Sequence, residues 1–283
     1  MDRLTFDADA PADRVRAAYE THGAVMMRAL APARLVAELR EAITGMAKAR
    51  LTSLEEPVPE GDLDTVYERL CAVDRKAAGS VYDHVKDLAE YYRLISAPAI
   101  CEVVAGLLGS STFQMPLDLC LFRIDRRGED RFAFDWHQDY PYNLISQNAV
   151  TAWIPLTDVQ PEMGRLKVVL GSHRERLRIT VREPDFVPGM GGGGRAIELA
   201  GIDREALDAK ARDVDARAGD VLLFHTYLLH RSGKNESPRA RWTANPRYGD
   251  MLDGAMVARG WRSVTRKDFF IQPEIHPEDA EET

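Results

Sequence analysis

Seven histidines, together with the acids close to them, are the residues of this chain whose types and spacing suit a metal site. A non-haem Fe(II) site takes two imidazoles and one carboxylate on one side of the ion and leaves the other side open. Residues i and i+2 of a strand point to the same face, so a His-x-Asp/Glu pair supplies two such ligands. Three segments have that spacing: His137-Gln-Asp139, His173-Arg-Glu175 and His276-Pro-Glu278.

The surroundings of these three pairs differ. His276 lies in an acidic C-terminal tail that we expect to be disordered. His173 is followed by a run of charged residues typical of a solvent-exposed segment. His137 stands in the aromatic stretch Phe132–Tyr142, as a small-molecule pocket requires. The alternative for this last pair is a core histidine that is hydrogen-bonded to Asp139.

The third ligand has two candidates, His225 and His230, and both follow the apolar run that starts at Val221. His225 is in phase with Val221 and Leu223, so the alternative for it is a residue of the site wall. His230 begins a polar turn, and a ligand at such an edge leaves coordination positions open. A site built on His225 would instead suit a zinc-dependent hydrolase.

Strands must position these segments, and the chain has the composition of strands from Thr112 onward. A lead-in over residues 1–110 is mostly helical in pattern, and short apolar runs punctuated by Gly and Pro follow it. We expect strands at Val150–Leu156, Leu166–Leu170, Val221–Phe224 and Arg241–Tyr248. This order predicts a mainly β fold with helices (α+β): a sandwich or barrel over 111–250, braced by helices, in a single domain over 1–283.

Two segments are expected to lie outside that core. A polar insertion at 180–217 carries a glycine-rich hinge, Gly189–Gly194, and is a candidate lid over the site. Residues 251–283 form a C-terminal extension that ends in the acidic tail.

Composition and charge exclude several classes of function. The chain has 37 Lys+Arg against 45 Asp+Glu, a net charge of −8, which argues against a nucleic-acid partner. The apolar runs are too short for a membrane span, and no secretory signal is recognisable at the N-terminus. Three scattered cysteines, Cys71, Cys101 and Cys120, suit neither a zinc knuckle nor a disulfide framework. We therefore expect a cytoplasmic protein whose partner is a small-molecule substrate.

Five blocks in series resemble the phytanoyl-CoA dioxygenase (PhyH) family of Fe(II)- and 2-oxoglutarate-dependent oxygenases. The blocks are WHQD (Trp136–Asp139), AWIPLTD (Ala152–Asp158), GRLKVVLGSH (Gly164–His173), GDVLLFH (Gly219–His225) and HRSGKNESPRAR (His230–Arg241). The resemblance covers roughly Gly23 to Tyr248 in layout and is sharp over the five blocks. It implies a double-stranded β-helix (jelly-roll or cupin-like) core with N-terminal helices packed on it.

The resemblance also implies roles for particular residues. His137, Asp139 and His230 match the catalytic iron ligands, and Arg241, eleven residues after His230, matches the arginine that anchors the distal carboxylate of 2-oxoglutarate. Arg239 shares the strand face with Arg241 and is its rival. Two further positions match the co-substrate site: Trp153, for which a buried core tryptophan is the alternative, and Ser232.

The implied activity is oxidation of a small molecule with 2-oxoglutarate and O2, giving succinate and CO2. Asp139 favours hydroxylation, because halogenating relatives have a small residue at this position. We expect a natural-product or secondary-metabolite substrate. The alternatives are an acyl-CoA substrate within the same family and a non-catalytic barrel that binds a metal or a small molecule. Four residues beside the metal pair are candidates to contact the substrate, with a turn and barrel cap as the alternative: Gln138, Tyr140, Tyr142 and Asn143.

Overall fold

Helices make up most of the first 110 residues. The computed structural model describes residues 4–129, 134–140, 146–177, 179–181, 197–199, 201–258 and 260–261. The helices within these ranges are α1 (Ala12–His22), α2 (Ala33–Ser53), α3 (Leu63–Val73), α4 (Arg75–His84), α5 (Ala89–Ile95), α6 (Pro98–Leu108), α7 (Arg204–Lys210) and α8 (Gly254–Ala258).

Local sequence explains where the N-terminal helices begin, where they end and which face they bury. At the end of α1, Gly23 adopts φ 76° and its N–H bonds the carbonyl of Tyr19, a left-handed C-cap. At the start of α3, the Asp62 carboxylate accepts the N–H of Thr65. The longest helix, α2, carries apolar residues four positions apart that are fully buried, which gives it one apolar stripe.

The strands form one large sheet and two small ones. They are β1 (Thr5–Asp7), β2 (Ala24–Arg28), β3 (Phe113–Gln114), β4 (Leu121–Asp125), β5 (Ala149–Pro155), β6 (Lys167–Val168), β7 (Ile179–Val181), β8 (Ile197–Leu199), β9 (Arg212–Asp213), β10 (Val221–His225), β11 (His230–Arg231), β12 (Arg241–Asn245) and β13 (Arg247–Asp250). The large sheet has the order β1-β2-β10-β5-β12-β4, and β13 joins it by pairing with β5 and β3. The small sheets are β11-β6-β9 and β7-β8.

The two faces of the large sheet bury different layers, because successive side chains of a strand alternate between faces. On β5, Ala152 and Ile154 belong to the core shared with the helices, whereas Trp153 belongs to the cluster that contains Val168 of β6 and Val214, which follows β9. On β10, Leu223 points to the helices and Leu222 to the small sheet. The molecule therefore contains a helical layer, the large sheet and the small sheet β11-β6-β9. The predicted site residues meet in the space between the large sheet and this small sheet.

The segment Arg241–Tyr248, predicted as one strand, is broken in two. Pro246 has no N–H to donate to a neighbouring strand, and β12 ends before it while β13 begins after it. Both halves still pair with β5, so side chains of β12 and β13 enter the same space between the sheets.

The candidate lid and the C-terminal tail are only partly described. Within 180–217 the described residues include the β7–β8 pair, α7 and β9, while residues 182–196, with the glycine hinge, lie outside the described ranges. The tail beyond residue 261 lies outside them as well. Among the described residues no single helix meets the length and hydropathy expected of a membrane span, although the bent pair α5 and α6 meets them jointly.

Candidate metal centre

Backbone hydrogen bonds place His137 beside His230 at the edge of the small sheet. The N–H of each residue donates to the carbonyl of the other, at 3.0 and 3.1 Å, so the pair forms a β-bridge next to β11. Their ring centroids are 4.1 Å apart. Two residues separated by 93 positions in the sequence are thereby brought side by side, as the sequence analysis required for a third ligand.

The same ring nitrogen of both imidazoles is held by the backbone. Nδ1 of His137 lies 2.8 Å from the carbonyl of Asp135, and Nδ1 of His230 lies 2.9 Å from the carbonyl of Leu228. Because a carbonyl only accepts, each Nδ1 carries the proton and each Nε2 keeps its lone pair. Burial, helped by His230, lowers the pKa of His137 to about 3, and burial also lowers the pKa of His230. Both rings are therefore neutral and ready to bind a metal at neutral pH.

Asp139 completes the group with one carboxylate oxygen. Its Oδ1 lies 3.7 Å from Nε2 of His137 and 3.8 Å from Nε2 of His230. The ligand atoms of the three residues all lie within 4.8 Å of one another, and all three side chains are buried. We call these residues the metal triad. It is the one group of three or more His, Cys, Asp or Glu with this geometry in the described part of the chain.

The large sheet supplies two partners that orient the Asp139 carboxylate. The hydroxyl of Thr151 on β5 donates to Oδ2 at 2.6 Å, and Nη2 of Arg247 on β13 donates to Oδ1 at 3.2 Å. Burial raises the pKa of Asp139, but Arg247 and the two imidazoles together hold that pKa well below its usual range. The carboxylate is therefore ionised, with one oxygen turned to Thr151 and the other to the imidazoles.

The other histidine candidates do not join the triad. His225 packs against His173 with ring centroids 5.6 Å apart and ring planes tilted by 52°, and its Nδ1 accepts the N–H of Tyr227. His173 points Nε2 at the carbonyl of Glu20, and its sequence partner Glu175 is exposed. We call these two residues the His173–His225 pair. His276 and Glu278 lie outside the described residues.

Arg239 lies two residues before β12, so it does not share the strand face of Arg241 as predicted, and the two side chains point to different layers. Arg239 forms ion pairs with Asp62 and Asp64 of the helical layer, and its side chain is 52% exposed. Arg241 enters the space between the sheets, where its side chain is only 2% exposed, and it pairs with Asp125 of β4 at 2.8 Å. The geometry therefore separates the two rivals, and only Arg241 faces the interior that holds the metal triad.

The other predicted co-substrate residues lie around the same interior. Trp153 is buried in the cluster between the sheets, which also contains Met163, and the Met163 carbonyl accepts a bond from Arg241 at 3.3 Å. Gly164 lets this turn pack tightly, since it adopts φ 71° and a Cβ there would lie 2.3 Å from the carbonyl oxygen of Lys234. Ser232 directly follows β11, and its N–H donates to the carbonyl of Phe134, which places it beside the segment that carries His137.

The predicted substrate residues that the structure describes are buried. The side-chain amide of Gln138 donates to the carbonyls of Glu175 and Tyr227, and its oxygen accepts the N–H of Leu177. Tyr140 is 1% exposed, with its ring against that of Tyr227. Gln138 thus fixes the loop that carries the metal ligands. Tyr142 and Asn143 lie outside the described residues.

Sequence reasoning missed Thr151, Arg247 and Asp125, which contact the predicted site residues directly. A signal was present in the parity of the strands. Thr151 is two residues before Trp153 on one strand, so both belong to the same face. Arg247 has the same parity as Arg241 in the segment predicted as one strand, and in the structure it lies opposite Thr151. The partners of Arg247 and Asp125 are more than a hundred residues away in the sequence, so no local pattern marks these two charges.

The comparison with protein families decides the identity of this fold and site. The family model described as Phytanoyl-CoA dioxygenase (PhyH) matches residues 19–243, which include the metal triad and Arg241. The chain belongs to the phytanoyl-CoA dioxygenase family. As a member of this family it is an Fe(II)- and 2-oxoglutarate-dependent oxygenase, with Fe(II), 2-oxoglutarate and O2 as its cofactor and co-substrates.

Two curated relatives illustrate the range of this family. The 1-deoxypentalenic acid 11-beta-hydroxylase of Streptomyces exfoliatus is 30% identical over 87% of this chain and 83% of its own length. The peroxisomal phytanoyl-CoA dioxygenase of Homo sapiens is 25% identical over 83% of this chain and 67% of its own length.

Solved structures share the fold and confirm the predicted double-stranded β-helix. The epimerase SnoN, in complex with Fe3+, alpha ketoglutarate and nogalamycin RO, aligns with a TM-score of 0.53 at 23% identity, over 84% of this chain and 83% of SnoN. EctD from S. alaskensis, with 2-oxoglutarate and 5-hydroxyectoine, aligns with a TM-score of 0.55 at 18% identity, over 87% of this chain and 79% of EctD.

The donor set of the triad fits the iron that the family uses. Two neutral imidazoles and one ionised carboxylate are the facial ligand set of non-haem Fe(II) enzymes. Each ligand is supported behind the site by a hydrogen bond: carbonyls hold both Nδ1–H groups, and Thr151 holds the free oxygen of Asp139. The site therefore has the ligands, the protonation states and the supporting bonds that iron requires.

Proposed function

We propose that the protein hydroxylates a small-molecule metabolite of the natural-product class, with iron held by the metal triad. The observation that carries this proposal is the convergence of Nε2 of His137, Nε2 of His230 and Oδ1 of Asp139, with both Nδ1–H groups fixed by the backbone. When bound, the iron supplies the chemistry that couples conversion of 2-oxoglutarate and O2 into succinate and CO2 to oxidation of the substrate.

The protein's own residues bind and orient. His137, Asp139 and His230 would hold the ion, and Arg247 and Thr151 orient the Asp139 carboxylate through their hydrogen bonds to it. We assign the distal carboxylate of 2-oxoglutarate to Arg241, because a guanidinium fork can offer a carboxylate two parallel charge-assisted bonds. The remaining co-substrate contacts that we assign are Trp153 and Ser232.

The type of outcome follows from Asp139. A carboxylate at this position uses one coordination position that a halide would otherwise take, so hydroxylation is the outcome that we propose. Phe134 forms part of the wall beside the metal, since its ring centroid lies 5.1 Å from that of His137 and its side chain remains partly exposed. Gln138, Tyr140, Tyr142 and Asn143 remain candidates for substrate contacts.

The substrate class rests on the relatives and on charge. The bacterial relative at 30% identity is named for a hydroxylation of 1-deoxypentalenic acid. The net charge of −8 gives little general attraction to a polyanionic thioester such as an acyl-CoA. We therefore place a small metabolite ahead of an acyl-CoA as the substrate. The three cysteines are free, and this fits the cytoplasmic location that we propose.

An anaerobic titration tests the proposal without knowledge of the substrate. The metal-free protein is mixed with Fe(II) and then with 2-oxoglutarate, and the weak visible charge-transfer band of the chelate is recorded. We expect a band that saturates with one equivalent of each. Binding of Fe(II) without a band would instead favour a barrel that binds a metal but does not turn over. Once the band is established, succinate release in the presence of metabolite pools identifies the substrate.

A further inference from the structure

The guanidinium of Arg241 already holds a carboxylate of the protein itself. Nη2 of Arg241 donates to Oδ2 of Asp125 at 2.8 Å, and Nη1 reaches the carbonyl of Met163 at 3.3 Å. Nε of Arg241 is buried and has no hydrogen-bond partner among the described residues. Nε and Nη2 form one edge of the guanidinium fork, so Asp125 uses half of an edge that can bind a carboxylate through two bonds.

Asp125 has a second cationic partner. Arg123, two residues earlier on the same face of β4, donates from Nη2 to Oδ1 of Asp125 at 2.5 Å and from Nε toward Oδ2 at 3.5 Å. Asp125 therefore bridges two arginines, and the second of them already reaches both of its oxygens. Burial raises the pKa of Asp125, but Arg123 and Arg241 together hold that pKa well below its usual range. The carboxylate is thus charged and can be held by Arg123 alone.

We propose that Asp125 competes with the distal carboxylate of 2-oxoglutarate for Arg241, and that co-substrate binding transfers Asp125 to Arg123. The inference rests on the proposed function, since it takes Arg241 as the co-substrate anchor. The incoming carboxylate replaces one bond from Asp125 with two on the edge formed by Nε and Nη2, and it gives the unpaired Nε an acceptor. Asp125 thereby keeps Arg241 in place before the co-substrate arrives and lowers the affinity of the protein for it.

The exchange also reaches the wall of the metal site. The guanidinium of Arg123 lies over the ring of Phe134 at 5.1 Å, and that ring packs on His137. The arginine that would receive Asp125 therefore contacts a side chain beside the metal triad.

The substitution Asp125→Asn tests the competition, because it removes the charge and retains the shape. Dissociation constants are measured anaerobically from the charge-transfer band, for 2-oxoglutarate and for 2-oxopentanoate, which has the same chain length without the distal carboxylate. We expect Asp125→Asn to bind 2-oxoglutarate about tenfold more tightly than the wild type, because repulsion between two buried carboxylates is lost. The affinities of the wild type and of Asp125→Asn for 2-oxopentanoate should differ by less than about twofold.

A matched control is Asp220→Asn. Asp220 is also buried and also pairs with an arginine, Arg28, at 2.5 Å, but it precedes β10 and contacts neither Arg241 nor the triad. We expect this variant to bind 2-oxoglutarate like the wild type. Weaker or unchanged binding of 2-oxoglutarate by folded Asp125→Asn overturns the proposed competition and makes Asp125 a support for Arg241 only.

A second measurement uses the wild type, in case Asp125→Asn does not fold. In a crystal structure with metal and 2-oxoglutarate, Asp125 should lie more than about 4 Å from Arg241 Nη2, while Nε should lie within hydrogen-bond distance of the co-substrate carboxylate. Asp125 still bound to Arg241 Nη2 in that structure contradicts the transfer. If the wild type forms no band with 2-oxoglutarate at all, the proposed function itself fails. If the wild type forms the band but Asp125→Asn binds 2-oxoglutarate with unchanged affinity, only the proposed competition fails.

Discussion

The metal triad and the His173–His225 pair contain the same type of ring at opposite ends of one short loop, and their nitrogens are arranged differently. In the triad both Nδ1–H groups bond carbonyls, so both Nε2 lone pairs turn to Asp139. In the pair, His173 turns Nε2 to a carbonyl, whereas His225 uses Nδ1 to accept a backbone N–H.

Burial lowers histidine pKa values in both groups, so a lowered pKa does not distinguish them. The difference lies in the carboxylate. Asp139 is buried and faces two imidazoles, whereas Glu175 is exposed and does not contact its sequence partner His173 in the described structure. The His173–His225 pair instead lines an open cavity of about 480 Å³ together with Arg174 and Tyr227. A His-x-acid spacing therefore becomes a metal site only where the backbone fixes the same nitrogen of two rings toward one buried acid.

The largest expected difference between the two groups appears when the carboxylates Asp139 and Glu175 are removed in turn. Asp139→Ala should weaken Fe(II) binding by more than about a hundredfold, because the partners of metal ligands alone change affinity by about 10- to 100-fold. Glu175→Ala should leave it unchanged. Calorimetric titration with Fe(II) under anaerobic conditions measures both. Equal loss in the two variants would erase the distinction between the two groups, and thermal melts of the metal-free proteins serve as the folding control.

The next test replaces each of the two candidate third ligands, His225 and His230, in turn. His230→Gln should abolish the charge-transfer band with 2-oxoglutarate and weaken Fe(II) binding by about a hundredfold, since one of three protein ligands is lost. His225→Gln should retain the band with an affinity within about twofold of the wild type. The reverse result would make His225 the ligand and return the zinc-hydrolase alternative.

A smaller effect is expected from the hydrogen bond behind the carboxylate. Thr151→Val removes the donor to Asp139 Oδ2, and we expect Fe(II) affinity to fall about tenfold. Thr21→Val is the matched control, because that hydroxyl bonds the carbonyl of Ala17 in α1, away from the triad. The Fe(II) dissociation constants of the two variants give the comparison. An unchanged affinity in Thr151→Val would show that Arg247 alone suffices to orient Asp139.

The last prediction concerns folding stability rather than metal binding, and it tests the His173–His225 pair through pH. Burial, helped by His173, lowers the pKa of His225 from 6.5 to about 4. The unfolded chain therefore takes up this proton before the folded protein does, so the free energy of unfolding falls as pH decreases from 6.5 to 4. The stability that depends on neutral His225 is fully present above pH 6.5.

We expect His225→Asn to remove about 2 kcal/mol of that pH dependence, measured by urea unfolding of the metal-free protein at pH 7 and pH 4.5. The difference between wild type and variant isolates His225 from the histidines of the triad. A variant with the same pH dependence as the wild type would mean that the ring is protonated in the folded state as easily as in the unfolded chain.

Several elements could be predicted from local sequence because short-range physics decides them. The helix that ends at Gly23 and the strand that starts at Ala24 follow from a residue that tolerates positive φ and from the apolar run after it. The break between α5 and α6 near Pro98 follows from the restricted backbone before proline. Pro246 separates β12 from β13 because it lacks an N–H to donate, although the segment Arg241–Tyr248 was predicted as a single strand.

The residues of the site also fall into two groups: those that the sequence pattern predicted and those that only the structure revealed. Residue types, spacing and the ordered family blocks selected His137, Asp139, His230 and Arg241, and the structure places all four between the two sheets. No local pattern selected Thr151, because a threonine inside an apolar strand is ordinary in a β-sheet. Its importance arises only because Asp139 lies within 2.6 Å.

By itself, then, the sequence determined the chemistry available to this protein: two imidazoles, a carboxylate and an arginine in blocks that belong to one family of oxygenases. The tertiary structure decided which charges are shared. Arg247 meets Asp139 because Pro246 breaks the strand while both halves pair with β5, and Asp125 meets Arg241 because β4 and β12 pair in a register that sets them opposite each other. Cross-strand register joins residues more than a hundred positions apart, and no spacing along the chain contains that information.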